Sequence, residues 1–192
     1  MAAPCSGRNM ADSNNIMLMA VGNPTVEDDG IGPYCLERLL EWFDFPPELR
    51  CVDEGDLGLA MLGDLIDVRE LIVLDAAKDT GHPVATVLIM TPEELADNAV
   101  LHTAHDQALV DVLRTAALVD KAPERTVVVG MQVGSLREWV LELTPEVRAA
   151  APIMCAAALD QLRRRGVAFR PKPGVDIPAE LFDALENFAP QS

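Results

Sequence analysis

Aromatic residues are scarce in this chain. Phe, Trp and Tyr make up 4% of the 192 residues, whereas 49% of the residues are hydrophobic. Val, Leu, Ile, Ala and Met must therefore form most of any core. A chain of this length can bury such a core in one domain, and its balance of hydrophobic and charged residues excludes a disordered or collagen-like protein.

Positive charge is also in short supply. The chain has 15 Lys and Arg residues against 31 Asp and Glu residues, which gives a formal net charge of −16. Nucleic-acid binding proteins need a basic surface to neutralise phosphates, so we expect no nucleic-acid partner. The basic residues at 163–165 are interpreted as cations in the last turn of a helix, where they interact favourably with the helix dipole.

The four cysteines are too widely separated for a zinc knuckle or a CxxC redox motif. No run of about 18 apolar residues is present that could span a membrane, and residues 1–15 lack the apolar segment of a signal peptide. We therefore expect a cytoplasmic protein without membrane insertion, in which residues 1–15 form a flexible polar leader.

Short apolar runs alternate with amphipathic segments along the chain. The predicted strands are 15–22, 49–52, 70–77, 82–90 and 125–134, and the predicted helices are 30–43, 57–66, 91–94, 103–116, 144–165 and 179–188. This alternation predicts an α/β three-layer sandwich, with a twisted, mostly parallel five-stranded sheet, one antiparallel strand, and helices on both faces. We expect a single domain over 16–166, a Pro-rich tail over 167–192, and antiparallel pairing of 82–90 with the strand before it.

Three consecutive acids, Glu27, Asp28 and Asp29, follow the first predicted strand, in the sequence AVGNPTVEDDGIG. Like charges repel one another at this spacing, so the acids either cap a helix or hold a positive group. One acid is sufficient as a cap, which leaves the others to be explained.

Ligands of parallel α/β sheets bind at the carboxyl ends of the strands, near the point where the strand order reverses. Three ionisable residues are predicted at such positions: Asp29 after the first strand, Asp75 at the end of the run LIVLD, and His105 in the first turn of a capped helix. Each has a structural alternative, namely an N-cap for Asp29, a salt bridge or turn for Asp75, and a surface or cap position for His105. Together, two carboxylates and an imidazole would suit a borderline divalent cation.

Other chemistries lack their sequence motifs. The chain has neither the G-x-S-x-G of a serine nucleophile nor the H-E-x-x-H of a zinc protease. The turn AVGNPTVEDDG lacks the third glycine of a dinucleotide-binding loop, and its acids would repel a pyrophosphate at the helix N-terminus. We therefore expect no nucleotide cofactor.

Four segments, in the same order along the chain, resemble those of the hydrogenase maturation endopeptidases. They are MLMAVGNPTVEDDGIGPYCLERL, VDEGDLGLAMLGDLIDVRELIVLDAA, HTAHDQALVDVL and VVVGMQVGSLREWVLELTPEVRAAAP. The first resembles the family's strand, Gly-Asn and acidic turn, and the second resembles its D-G-G-T loop and its strand ending in Asp-Ala. The third resembles its S-x-H segment. The resemblance covers about residues 16–165.

This resemblance implies an aspartyl-type endopeptidase that removes the C-terminal extension from a [NiFe]-hydrogenase large-subunit precursor after nickel insertion. It implies that nickel carried by the precursor is the recognition element, with Asp29, Asp75 and His105 as metal ligands and catalytic residues. Residues in place of the D-G-G-T loop are implied as substrate contacts, and these are Asp53, Gly55 and Asp56. With Asp29 presented to the cation, Asp28 is available to cap the following helix.

Two other functions remain open from the sequence. A non-cleaving chaperone or adaptor would hold the same nickel-loaded precursor. The VGNP turn also resembles that of peptidyl-tRNA hydrolase, but the net charge of −16 argues against a tRNA groove. We expect a monomer that pairs transiently with its precursor, because such strong charge of one sign disfavours self-association.

Overall fold

The computed structural model describes residues 15–55, 61–92, 94 and 104–187, and the side chains of all of these except 104–108. The strands are β1 (Ile16–Ala20), β2 (Phe43–Asp44), β3 (Arg50–Asp53), β4 (Glu70–Ala77), β5 (Val87–Met90), β6 (Arg125–Gln132) and β7 (Arg170–Pro171). A 3₁₀ turn spans Glu27–Gly30, and the helices are α1 (Ile31–Trp42), α2 (Met61–Asp64), α3 (Ala104–Leu118), α4 (Pro145–Arg164) and α5 (Ala179–Asn187).

Five strands form one sheet in the order β3-β1-β4-β6-β5. The pairs β1–β3, β1–β4 and β4–β6 are parallel, whereas β5 and β6 are antiparallel. The predicted α/β fold, with one antiparallel strand in a mostly parallel sheet, is therefore confirmed.

The partner predicted for the antiparallel strand is wrong. We expected 82–90 to pair with the strand before it, which is β4, but β5 pairs with β6 along Val87↔Met131 to Met90↔Val128. The physical reason is that β4 is already hydrogen-bonded on both sides, to β1 and to β6. Strand β6 has a free side, away from β4, and β5 pairs there.

Helices cover both faces of the sheet. On one face, α1 and α4 pack on side chains such as Leu18, Ile72 and Val129; we call this the α1/α4 face. On the other, the α2/α3 face, Met61 and Leu109 pack on Met17 and neighbouring strand residues. All five residues of β1 are buried, because successive side chains of a central parallel strand enter two different cores.

The region beyond residue 166, expected as a Pro-rich tail, packs against the rest of the molecule as far as it is described. Strand β7 pairs antiparallel with β2, and the ring of Phe169 meets that of Phe43 edge-on, with centroids 5.6 Å apart. Leu181 of α5 is fully buried in the core of the α1/α4 face. Within the described residues, every helix is too short or too polar to cross a membrane.

Candidate active site

The strand order reverses between β1 and β4. From β1 the chain crosses to β3 on one side, and then returns to β4 on the other side. Because α1 follows β1 on one face, and α2 precedes β4 on the opposite face, a crevice is expected at the carboxyl ends of these two strands. We call this end of the sheet the carboxyl edge.

The turn out of β1 depends on a glycine. Gly22 has a φ of +129°, and a Cβ at this position would lie 2.0 Å from the carbonyl oxygen of Asp29. The side chain of Asn23 then closes the turn, since its Oδ1 accepts hydrogen bonds from the backbone N and the Oγ1 of Thr25, at 2.9 and 2.6 Å. This tight turn brings Asp29 back against the end of β1.

Each of the three consecutive acids is buried, with 0 to 3% of its surface exposed. Glu27 is bound by the loop that follows β6. Its carboxylate accepts from the Oγ of Ser135 and from Nε, Nη2 and the backbone N of Arg137, with Nε 3.0 Å from both carboxylate oxygens. The hydrogen bonds from Arg137, and then the one from Ser135, lower the pKa of Glu27 to about 2 in spite of its burial.

Asp28 does not cap α1 as predicted. Its carboxylate accepts from the backbone N of Thr144 at 2.7 Å and from the Oγ1 of Thr144 at 3.0 Å. Thr144 is the N-cap residue of α4, which has proline at its first position. The prediction is wrong because Asp28 lies within the 3₁₀ turn that precedes α1. From there its side chain faces the start of α4.

Asp29 lies at the carboxyl edge, as predicted. Its Oδ2 accepts a hydrogen bond of 2.7 Å from the backbone N of Asn23, and the 3₁₀ turn that carries it packs against β4. The carboxylate is therefore held in a fixed position next to the strand that carries Asp75.

Asp75 lies within β4, opposite Gly130 of β6, and is 1% exposed. Its neighbours Leu74 and Ala76 belong to the core of the α1/α4 face. Since side chains alternate along a strand, Asp75 is directed toward the α2/α3 face.

The backbone of His105 lies in the first turn of α3, and its side chain is outside the described part of the structure. Helix α3 is joined to the amino end of β6 by residues 119–124, so its C-terminal end lies at the opposite edge of the sheet. A helix of this length spans about 22 Å, which places its first turn toward the carboxyl edge. Among the side chains that are described, no three His, Cys, Asp or Glu residues are grouped to hold a metal ion.

The segment after β3 reaches the same edge. The Oδ1 of Asp53 accepts from the backbone N of Gly55 at 3.1 Å, and the carbonyl of Gly55 accepts from the backbone N of Gly22 at 3.2 Å. Asp56, the third residue implied as a substrate contact, lies outside the described residues. Burial, followed by the neighbouring Asp64, raises the pKa of Glu54.

Comparison with known proteins adds an independent observation. A family model described as hydrogenase maturation protease matches residues 33–161 of this chain. The chain belongs to the hydrogenase maturation protease family. The matched range includes Asp75 and His105, whereas Asp29 lies just before it.

Several relatives extend the similarity over most of the chain. A hydrogenase expression/formation protein, HupD of Rhodobacter capsulatus, is 30% identical over 88% of this chain and 80% of its own length. The hydrogenase 2 maturation protease of Escherichia coli K12 is 29% identical over 83% of this chain and 98% of its own length. The solved structure of the hydrogenase maturating endopeptidase HybD from E. coli superposes with a TM-score of 0.78 at 27% identity, covering 84% of this chain and all of that one.

The sequence proposed Asp29 and Asp75 as candidates but missed the residues that hold the neighbouring loops in place. Arg137 binds Glu27 across 110 positions of sequence, and no local pattern links the two. Gln132, at the end of β6, accepts from the backbone N of Thr80 at 2.9 Å and thereby fixes the loop after β4. The one available signal was the number of adjacent acids, because a helix cap accounts for one of the three carboxylates and the other two need other partners.

Proposed function

We propose that this protein removes the C-terminal extension of a [NiFe]-hydrogenase large-subunit precursor after nickel has been inserted. The observation that carries the proposal is that Asp29, in the 3₁₀ turn after β1, and Asp75, in the adjacent parallel strand β4, both lie beside the reversal of strand order. The direction of α3, whose first turn carries His105, supports the proposal. Family membership supports the reaction class, which is peptide hydrolysis.

Nickel carried by the precursor is the proposed recognition element. Carboxylate oxygens and imidazole nitrogens are suitable donors for a borderline divalent cation. Asp29 is prepared for this role, because its Oδ2 is fixed by the N–H of Asn23 and its turn is fixed by Glu27 and Asp28. A precursor without nickel would lack this anchor and would remain uncleaved.

Two hydrolytic routes are compatible with these residues. In one, the metal polarises the scissile carbonyl or a bound water, with a carboxylate accepting the proton. In the other, Asp29 and Asp75 act as general acid and base without help from the metal. Both routes place the scissile bond at the carboxyl edge, and both require the two carboxylates.

The test is to incubate the purified protein with a cognate precursor prepared with and without nickel. The precursor mass is then measured. We expect nickel-dependent loss of a C-terminal peptide with the wild-type protein and no loss with His105→Ala. Leu118→Ala is the matched control, because Leu118 is on the same helix at its far end. Equal cleavage of the nickel-free precursor would overturn nickel recognition but leave the endopeptidase standing.

The alternative of a non-cleaving chaperone gives a different result in the same assay. In that case the protein would bind the nickel-loaded precursor tightly and leave its mass unchanged. The peptidyl-tRNA hydrolase alternative has lost its support, because the family match spans the segments on either side of Asp75.

A further inference from the structure

Two large apolar side chains are exposed on the loop between β6 and α4. Trp139 is 85% exposed and Leu141 is 75% exposed. Tryptophan contributes more than most residues to binding energy at protein interfaces, and exposed apolar groups close together often mark interaction sites. Val140 lies between them and is half-buried.

This loop is anchored at three points. Arg137 binds the carboxylate of Glu27, the carbonyl of Val140 accepts from the backbone N of Glu27 at 2.7 Å, and Thr144 binds Asp28. Trp139 also has a φ of +64°, which is unfavourable for a residue with a side chain. Such a conformation persists where its surroundings enforce it, so the apolar pair is presented by a fixed loop.

The loop that carries the exposed pair is anchored to the turn that carries Asp29. The residues that anchor the loop, Glu27 and Asp28, directly precede Asp29 in the chain and share its 3₁₀ turn. A partner that contacts Trp139 would therefore lie within reach of the proposed catalytic edge.

The charge of the loop indicates which partner fits. Glu138 and Glu142 are exposed and flank the apolar pair in the chain, and Glu146 is exposed in the first turn of α4. Arg137, the only cation from 133 to 147, is bound to Glu27. The surface is thus apolar with an acidic border, which suits a segment with apolar side chains and flanking Lys or Arg residues. A second copy of this chain fits poorly, because each copy carries a net charge of −16.

We propose that Trp139 and Leu141 form a docking surface for an apolar, basic-flanked segment of the hydrogenase precursor next to its scissile bond. This inference rests on the proposed function. It adds that substrate affinity depends on contacts outside the metal-binding residues.

The test measures precursor binding and cleavage separately. In an Asp29→Asn background, which prevents turnover, Trp139→Ala and Leu141→Ala should each weaken binding of the nickel-loaded precursor about tenfold. With Asp29 intact, each should raise KM by a similar factor and leave kcat unchanged. Leu118→Ala is the control, because Leu118 is 86% exposed but lies at the opposite edge, and it should change neither quantity.

Unchanged binding in both variants would overturn the docking surface, whether or not the wild-type protein cleaves the precursor. Cleavage by the wild-type protein tests the proposed function independently. Sedimentation velocity adds a second readout: a dimer that dissociates in Trp139→Ala would assign the pair to self-association and would also overturn the inference. Thermal melting of each variant checks that the fold is retained.

Discussion

The two edges of the central sheet both carry ion pairs, but of different kinds. At the carboxyl edge, Glu27 is 1% exposed and its partners come from a distant loop. At the opposite end of the sheet, where β4 and β6 begin and which we call the amino edge, Arg69 and Glu124 form a bidentate pair at 2.9 and 2.8 Å, yet their side chains are 48% and 64% exposed. Exposed pairs contribute little to stability, because water and salt screen them.

The difference in burial of these ion pairs indicates which edge of the sheet is held rigid. Buried acids with fixed partners hold a single backbone conformation, because a movement that separated an acid from its partner would leave a buried charge without compensation. At the carboxyl edge this rigidity fixes the turn that carries Asp29 and the loop that carries Trp139. At the amino edge, Glu70 is shared by Arg125 and Arg165, and these pairs join strand ends and the end of α4 without positioning any candidate site residue.

The largest effect on activity is expected at Asp75. Asp75→Asn keeps the size of the side chain but removes its charge, so cleavage of the precursor should fall by more than about 100-fold. The melting temperature should remain close to that of the wild-type protein. A variant that unfolds at room temperature would instead assign Asp75 a structural role.

The largest effect on stability is expected at Gly22. Gly22→Ala would place a Cβ 2.0 Å from the carbonyl oxygen of Asp29 at a φ of +129°, and should lower the free energy of unfolding by about 3 kcal/mol. The control is Gly63→Ala in α2, where an added Cβ meets no atom within 4 Å. That variant should change stability by at most about 1 kcal/mol, toward greater stability. Urea denaturation of the two variants measures both values.

The pH dependence of stability should reveal Glu27. Its pKa in the folded protein is about 2 against an ordinary value of 4.5, so the native state binds this proton less readily than the unfolded state. The stabilisation from Glu27 is therefore complete above about pH 4.5 and is lost as the pH falls toward 2. Glu27→Gln should be less stable than the wild-type protein at pH 7, and the difference should shrink across that window. A constant difference from pH 7 to 2 would show that the carboxylate is not the cause.

The smallest effect is expected at the amino edge. Arg69→Ala removes an exposed pair with Glu124 and should change the free energy of unfolding by less than about 1 kcal/mol. Cleavage should be unaffected. A large loss of stability would mean that the two edges are more alike than their exposure indicates.

The sequence was most informative where the physics is local. The apolar run at 15–22 predicted a buried strand, which the structure has at Ile16–Ala20, and Pro145 after Thr144 predicted the start of α4. The positions of Asp29 and Asp75 near the carboxyl edge also followed from the order of the predicted strands; their role in the reaction stays a prediction.

What the sequence could not predict are contacts between distant segments. Arg137 and Glu27 are separated by 110 positions, and Asp28 and Thr144 by 116. The partner of β5 depended on which side of the sheet was still open, which is a property of the assembled fold. The packing of Phe169 on Phe43 likewise joins residues whose proximity only the folded chain creates.

The role of Asp29 is tested most directly by comparing it with the adjacent acid, Asp28. Asp28→Ala removes both hydrogen bonds to Thr144 and should lower the free energy of unfolding by about 1–3 kcal/mol. At temperatures where this variant is folded, it should still cleave the precursor. Asp29→Asn keeps an oxygen that can accept from Asn23, and should retain stability but lose cleavage. The reverse pattern, with an active Asp29→Asn and an inactive but stable Asp28→Ala, would contradict the assignment of Asp29 to the reaction.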